Sequence, residues 1–578
     1  MNVYQSYRFL LARLHLDSLA GETTAKSIKY TLKTLKSGAR SLPQAYEDAI
    51  KRIESQTPSR ISLAKEVLSW IIIAKRPLTL RELQHALAIE IGETELDEDN
   101  IPDVTEIISV CAGLVAIDKQ SDIIRLVHYT TQEFFEHIEK AWIPQARSMV
   151  VNKCVTYLSF NTVLAEPAES PWLVPTILAE NPFLNYAALY WGMHAFQLYS
   201  EEKSNAIAGT HELALRFLQN ESLVQSFSLV LAHVYPEIFS QSLPVKGTGL
   251  HMAAFFGLAH LSASLPEQQD DTRVEPDSGD MWERTPLLYA AVGGHMAVVK
   301  LLLERADVDI NRTDSNGNGP LSYAAMNGHA AIVQLMLAKD GVDVNSKNQL
   351  GETPLLYAAA RGHMGVVKLL LERADVDINR TDSRGNGPLS YAAMKGHVAI
   401  VQLILAKDGV DVNSKNERGR TPLLYAAERE DVAVVKLLLE RADVDINYIY
   451  NRGNGPLSYA AMGGHVAIAR LMLAKDGVDV NSKNQWGGTP LLYAVEGRHE
   501  ALVKLLLERA DIDVNCKRDI RPTSHIRYER EVVAGTLLER PDVDAGFQDW
   551  NGLTPLRHAE IRGYKEIVKL LKDHIAFH

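Results

Sequence analysis

From Thr285 onward the apolar positions fall into two short stripes per unit, and the units recur every 34 residues. In the first, Thr285-Pro286 sets a hydroxyl N-cap before a proline whose missing N–H costs nothing at the first helical position. Leu287, Ala290 and Ala291 then make one apolar face, and Gly294 is placed to end that helix in the left-handed region. Val298, Val299, Leu301, Leu302 and Leu303 form the stripe of a second helix, and a polar turn on Asn311, Asp314 and Gly317 closes the unit. Starts fall at Thr248, Thr285, Gly319, Thr353, Gly387, Thr421, Gly455, Thr489 and Thr554, with a degenerate unit around Leu537. Tandem units of this length predict an α-solenoid of about ten units, here over residues 245–578.

Before the array the periodicity is helical but not repetitive. Tyr7, Leu10, Leu11 and Leu14 form one stripe and Tyr46, Ala49, Ile50 and Ile53 another, with a short helix between them ending at Gly38, so residues 1–57 read as a helical segment. Ile61–Ala74, Arg81–Ile89 and Val104–Cys111 read as three helices, the second capped by Thr79. Two β-rich runs follow, Leu114–Ile117 and Ile123–Val127, and three helices before a hairpin predict a winged helix over residues 58–140. Residues 141–244 carry mixed apolar faces and read as a helical adaptor. The fold class is mainly α.

Composition removes several functions. At 578 residues the chain needs more than one core. A net charge of −12 argues against generic nucleic-acid binding, and the helix of the winged domain that would enter a groove carries Asp103 and Glu106 but no Arg or Lys. The three cysteines show no ligand or disulfide spacing. With no signal peptide and no apolar run long enough to span a bilayer, a cytoplasmic location is expected.

The runs SLPQAYEDAIKRIESQ, LSWIIIAKRPLTLRELQHALAI and RLVHYTTQEFFEHI resemble the region behind the nucleotide-binding module of fungal NACHT-type STAND proteins, relatives of the NOD-like receptors. The winged-helix part is similar to the domain called the GPI inositol-deacylase winged helix. The resemblance implies that residues 1–57 are a remnant behind a NACHT module and that His128 contacts the β-phosphate of bound ADP. The local alternative is a histidine satisfied at a strand-to-helix junction. No GxxxxGK[ST] loop occurs in the chain, the nearest text being GETTAKS at Gly21, so no nucleotide cofactor is expected.

The 34-residue units resemble ankyrin repeats, whose pattern is T-P-L-H-x-A-A, then G-H, then a Val/Leu-rich helix. Leu288, Leu356, Leu424 and Leu492, or Ser322, Ser390 and Ser458, replace the usual histidine, and only His251 retains it. Apolar stacking is expected to compensate in the leucine units. His295, His329, His363, His397, His465 and His499 recur in register and are expected to be structural rather than metal ligands.

The array also contains its own comparison, because the 68 residues from Thr285 return almost unchanged from Thr353. The copies differ at ten positions, seven of them at the tips or first-helix face where ankyrin repeats usually meet a partner. Over those seven the second copy gains a net five positive charges. Arg361, Arg384, Lys395, Arg418, Arg420 and Arg429 therefore mark a basic groove for an acidic or phosphorylated protein segment, with Trp282 and Trp486 as tip anchors. The expected function is a non-catalytic interaction scaffold in a STAND-type architecture, with protein partners and no nucleic acid, membrane, metal or small-molecule substrate. The alternatives are a signalling NTPase whose nucleotide-binding half lies elsewhere, and a decayed fragment.

Overall fold

The computed structural model describes residues 26, 42–118, 120–164, 174–201, 207–234, 247–265, 275–450, 453–515, 537–538, 540–541, 543–546, 553–563 and 565–577. The stripes expected before Leu42 and the degraded repeat around Arg521–Arg530 lie outside them. The described chain is mainly helical and divides into two compact units, residues 1–315 and 316–578.

The first unit opens with α1 (Leu42–Glu54), which buries the expected Tyr46, Ala49 and Ile53. Next come α2 (Pro58–Ile73), α3 (Leu80–Ala88), α4 (Val104–Val110), β1 (Val115–Asp118) and β2 (Ile123–Leu126). The two strands pair antiparallel, Val115 opposite Leu126 and Asp118 opposite Ile123. Leu78 and Thr79 lie along the free edge of β2, where Leu78 O accepts from Ile124 N at 3.2 Å. Thr79 caps α3 in a capping box: its hydroxyl takes the Glu82 amide, and Glu82 takes the Thr79 amide at 2.8 Å. This is the winged-helix order read from the sequence. The acidic face of α4 is engaged within the chain, Glu106 with Arg60 at 3.3 Å and the Val110 carbonyl with Gln56.

Helix α5 (Tyr129–Trp142) leaves the hairpin and runs past residue 140, so the expected boundary there falls inside its last turn. Helices α6 (Ala146–Leu158), α7 (Asn161–Leu164), α8 (Val174–Glu180), α9 (Leu184–Glu201), α10 (Ala208–Gln219) and α11 (Glu221–Val234) follow. Two aromatic clusters hold them. Trp70 of α2 meets Phe183 and Tyr186 at 5.3 and 6.0 Å. Trp191 of α9 meets Phe217, Phe227 and Phe256 between 5.3 and 6.2 Å, and Phe256 belongs to the first repeat. Rings at these edge-on separations add roughly 1 kcal/mol per pair beyond their buried area. The adaptor is thus continuous with the winged helix on one side and with the first repeat on the other.

The repeats are helix pairs, and every expected start is an N-cap. Thr285, Thr353, Thr421, Thr489 and Thr554 each accept the amide three residues on, at 3.3 Å. Gly319, Gly387 and Gly455 occupy the same place without a side chain, which costs only about 0.3 kcal/mol. The alanine pairs are fully buried, as at Ala358-Ala359 and Ala392-Ala393. In the second unit the first helices pack in succession, Pro320–Met326, Pro354–Arg361, Pro388–Lys395, Pro422–Glu428, Pro456–Gly463 and Pro490–Glu496, and the second helices do likewise. Glycine is required where tips cross: a Cβ on Gly385, at φ +79°, would lie 2.9 Å from Asn416 Cα.

Candidate functional site

The tips at Asp280, Asn348, Asp382, Asn416 and Asn484 are Asx turns. Asn416 Oδ1 accepts the amides of Arg418 and Arg420 at 3.0 and 2.9 Å, which lifts Arg418 to the apex. Successive tips are joined by single backbone bonds: Gln349 N to Asn316 O, Ser383 N to Leu350 O and Glu417 N to Arg384 O, at 2.7–2.9 Å. Positions 34 apart therefore line up, and Leu350, Arg384 and Arg418 form one exposed row. A second row is set by the first helices, where Arg361 and Lys395 are the last helical residues and Arg429 follows the third helix directly. A cation there is favoured by its own helix terminus.

All five of Arg361, Arg384, Lys395, Arg418 and Arg429 are exposed. Among the described residues none of their side chains makes an ion pair or a side-chain hydrogen bond. Arg420 differs from the expectation. It is half-buried, paired with Glu428 at 2.8 Å and set over the rings of Tyr425 and Tyr450 at 5.6 and 5.9 Å. In the first copy Glu352 stands there and accepts Tyr357 Oη–H at 2.7 Å. Glu and Arg at this position both serve the tyrosine of their own repeat, so Arg420 is a structural residue and the open basic surface has five cations. Of the other changed positions, Ile404 is buried. Trp282 and Trp486 sit half-buried at their tips, and the Trp282 carbonyl accepts Ser315 N at 2.8 Å.

The tyrosine network was not foreseen. In the repeats starting at Thr285, Thr353, Gly387, Thr421 and Thr489 the fifth residue is Tyr, and its hydroxyl meets the tip residue nine positions earlier: Tyr289 with Asp280, Tyr357 with Asn348, Tyr391 with Asp382, Tyr425 with Asn416, Tyr493 with Asn484, at 2.5–2.8 Å. This polar link supplies what the missing histidine does in the first repeat, where His251 bonds Thr248 and the Arg284 carbonyl. Apolar stacking alone is therefore not the compensation. The signal was present as a recurring Tyr with Asp or Asn nine positions earlier, Tyr450 before Tyr459 being the exception among the central repeats. A second ladder uses Asn345, Asn379, Asn413, Asn447 and Asn481, each donating to a carbonyl and accepting an amide of the next repeat.

The recurring histidines have a structural place. His363, His397 and His499 set Nε2 at 3.0–3.3 Å from the carbonyl near the end of the preceding repeat's first helix. Among the described residues no His, Cys, Asp and Glu cluster could hold a metal, and no helix is long and apolar enough to cross a membrane. His128 is the N-cap of α5, with Nδ1 at 2.8 Å from Thr130 Oγ1 and accepting the Thr130 amide. Burial pushes the thiols of Cys111 and Cys154 up, away from reactive thiolate.

Segments 250–348, 337–416, 355–450 and 423–518 match the family of ankyrin repeats. The repeats are ankyrin repeats. Residues 53–141 match the winged-helix domain of GPI inositol-deacylase. Among solved structures the chain is similar to the ankyrin repeat domain of Bcl-3, described as a unique member of the IkappaB protein family, at 25% identity and a TM-score of 0.35, over 39% of this chain and 99% of that one. No curated protein matches the chain. With the ankyrin assignment in place, the two cationic rows lie on the tip and first-helix face of three adjacent ankyrin repeats, those starting at Thr353, Gly387 and Thr421.

Proposed function

We propose that the chain is a non-catalytic protein-interaction scaffold that holds an acidic segment of a partner on the tip and first-helix face of its ankyrin repeats. The observation that carries this reading is the set of five exposed cations, free of intramolecular anions, in a protein of net charge −12. Side chains that stabilised the fold would be engaged, as Arg420 is with Glu428. Unengaged cations clustered on one face steer and select an anionic partner. The winged-helix match and the resemblance of the preceding runs support a STAND-type architecture, in which the N-terminal domains couple the array to another module.

The test is retention of partner proteins by the immobilised full chain against Arg361→Glu/Arg418→Glu. Both positions are exposed, so the variant folds, which circular dichroism checks. Loss of the retained proteins at low salt is expected. Retention unchanged by the double reversal removes this face as the binding surface.

A further inference from the structure

Arg361, Lys395 and Arg429 stand 34 residues apart at the same point of three stacked first helices. Packed helices lie about 8–10 Å apart, and this sets the pitch of the cationic row. From this pitch we infer that the row reads a partner segment in polyproline II conformation carrying an anionic side chain at every third residue. The inference rests on the proposed scaffold function and deepens it.

Periodicity selects the conformation. A polyproline II helix has three residues per turn and rises ~3.1 Å each. Its same-face side chains therefore recur at about 9.3 Å, within the stacking distance. A β-strand repeats a face at about 6.6 Å or 13 Å, and neither matches. An α-helix would match at every seventh residue, about 10.5 Å, but it needs an apolar floor for its own stripe. Here the positions beside the three cations are Ala360, Met394 and Glu428, the first two only partly exposed and the third held by Arg420. The next polar groups inward, the hydroxyls of Tyr391 and Tyr425, are already bonded to Asp382 and Asn416. That floor suits an extended polar segment rather than an apolar helix face.

Chemistry selects the side chains. Two of the three cations are guanidinium groups, which take a carboxylate or phosphate through two parallel N–H bonds. Arg384 and Arg418 belong to the separate tip row and add long-range attraction without setting the register. Of the two carboxylates flanking Arg429 in sequence, Glu428 is held by Arg420, and Glu430 is exposed and only touches His465 Nδ1 at 3.4 Å.

The experiment uses the full chain and fluorescein-labelled nine-residue peptides: two of one composition, with three Asp at every third position or three adjacent Asp, and a third with phosphoserines in place of the every-third Asp. Anisotropy titrations at low salt are expected to show the every-third peptide binding at least tenfold more tightly than the adjacent one. Lys395→Glu should lower that preference to near unity, while Arg384→Glu should weaken all peptides about equally. A phosphoserine peptide that binds where the Asp peptide does not assigns the anion to phosphate and keeps the register. Equal, Arg361-dependent binding of all three overturns the register and leaves the scaffold reading standing. No binding of any of them overturns both.

Discussion

Tyr425 donates its hydroxyl to Asn386 Oδ1 at 3.2 Å, tying one ankyrin repeat to the tip of the repeat before it. The same oxygen accepts Asn416 Nδ2 at 2.7 Å, and Asn416 also donates to Asn386 at 3.1 Å, so three side chains close a buried polar triangle. Leu424, in the place of the usual histidine, contributes only its burial.

Tyr425→Phe keeps the ring and removes the shared hydroxyl. Both Asn386 and Asn416 are buried, so each loses a partner that water cannot replace. Leaving buried amides short of partners costs about 1–3 kcal/mol. The thermal midpoint should fall by several degrees, while Tyr425→Leu, which also loses ring area, should fall further. A Tyr425→Phe midpoint equal to wild type means the triangle contributes nothing.

The repeat starting at Thr421 departs from its neighbours. Where the repeats on either side have Gly396-His397 and Gly464-His465 it has Glu430-Asp431, and Glu430 adopts φ 62°, a left-handed conformation that costs an L residue roughly 1 kcal/mol. Its contact with His465 is exposed and worth little. Glu430→Gly should therefore stabilise the protein by about 1 kcal/mol. Asp431→His is different. The new imidazole would regain the bridge to the preceding repeat seen at His397, roughly 1 kcal/mol. It would also lose the cap that Asp431 makes to Val434 N, roughly 1 kcal/mol. The single Asp431→His change should be near neutral in a urea melt and the double change no better than Glu430→Gly alone; a gain from Asp431→His above 1 kcal/mol would show that the cap is worthless.

What was legible in the sequence was what repeats. The N-caps at Thr285 through Thr554, the left-handed glycines and the buried alanine pairs follow from local rules that act within a few residues, and the period multiplies the signal. The pairing of Tyr with a tip Asp or Asn was missed because it closes over nine residues through a loop, where helix and strand periods give no guide. Arg420 was misread because charge alone does not show that a guanidinium lies over two rings and beside Glu428. The Trp191 cluster was illegible for a third reason. Its members, Phe217, Phe227 and Phe256, come from separate helices with no common spacing.

That cluster sets up a contest at Gly192. A glycine inside α9 should be improved by alanine by about 1 kcal/mol on propensity. The added Cβ would sit 2.2 Å from Phe256 Cγ, next to the ring's root where the side chain cannot swing away cheaply. Overpacking a closed core costs about 1–3 kcal/mol, so sterics should win. Gly192→Ala is expected to lower the thermal midpoint, and Gly192→Ala/Phe256→Leu to recover part of it. Stabilisation by Gly192→Ala alone would mean that the junction between adaptor and first ankyrin repeat is looser than the ring contacts imply.

The same helix carries a source of acid sensitivity. His194 is buried, and its Nε2 accepts the Tyr186 hydroxyl at 2.8 Å, while that hydroxyl accepts the Lys75 amide at 3.0 Å. Burial, followed by the positive charges of Lys75 and Arg147, lowers the imidazole from its usual 6.5 to about 3. In the folded protein the ring stays neutral as pH falls, whereas in the unfolded chain it takes up a proton near pH 6.5. The unfolded state therefore binds more protons between about pH 6.5 and pH 3, and stability is lost progressively through that window. Above pH 6.5 neither state is protonated and the group has no effect. The limiting slope is about 1.4 kcal/mol per pH unit for one site, so the loss between pH 6.5 and pH 5 approaches about 2 kcal/mol. His85, His211 and His251 are also shifted down by burial and add to the slope, so the comparison must be with a variant. His194→Gln supplies a carbonyl oxygen for Tyr186 and has no proton to gain. Its stability should change less than that of wild type between pH 7 and pH 5 in parallel urea melts; equal losses would place the acid-labile group elsewhere.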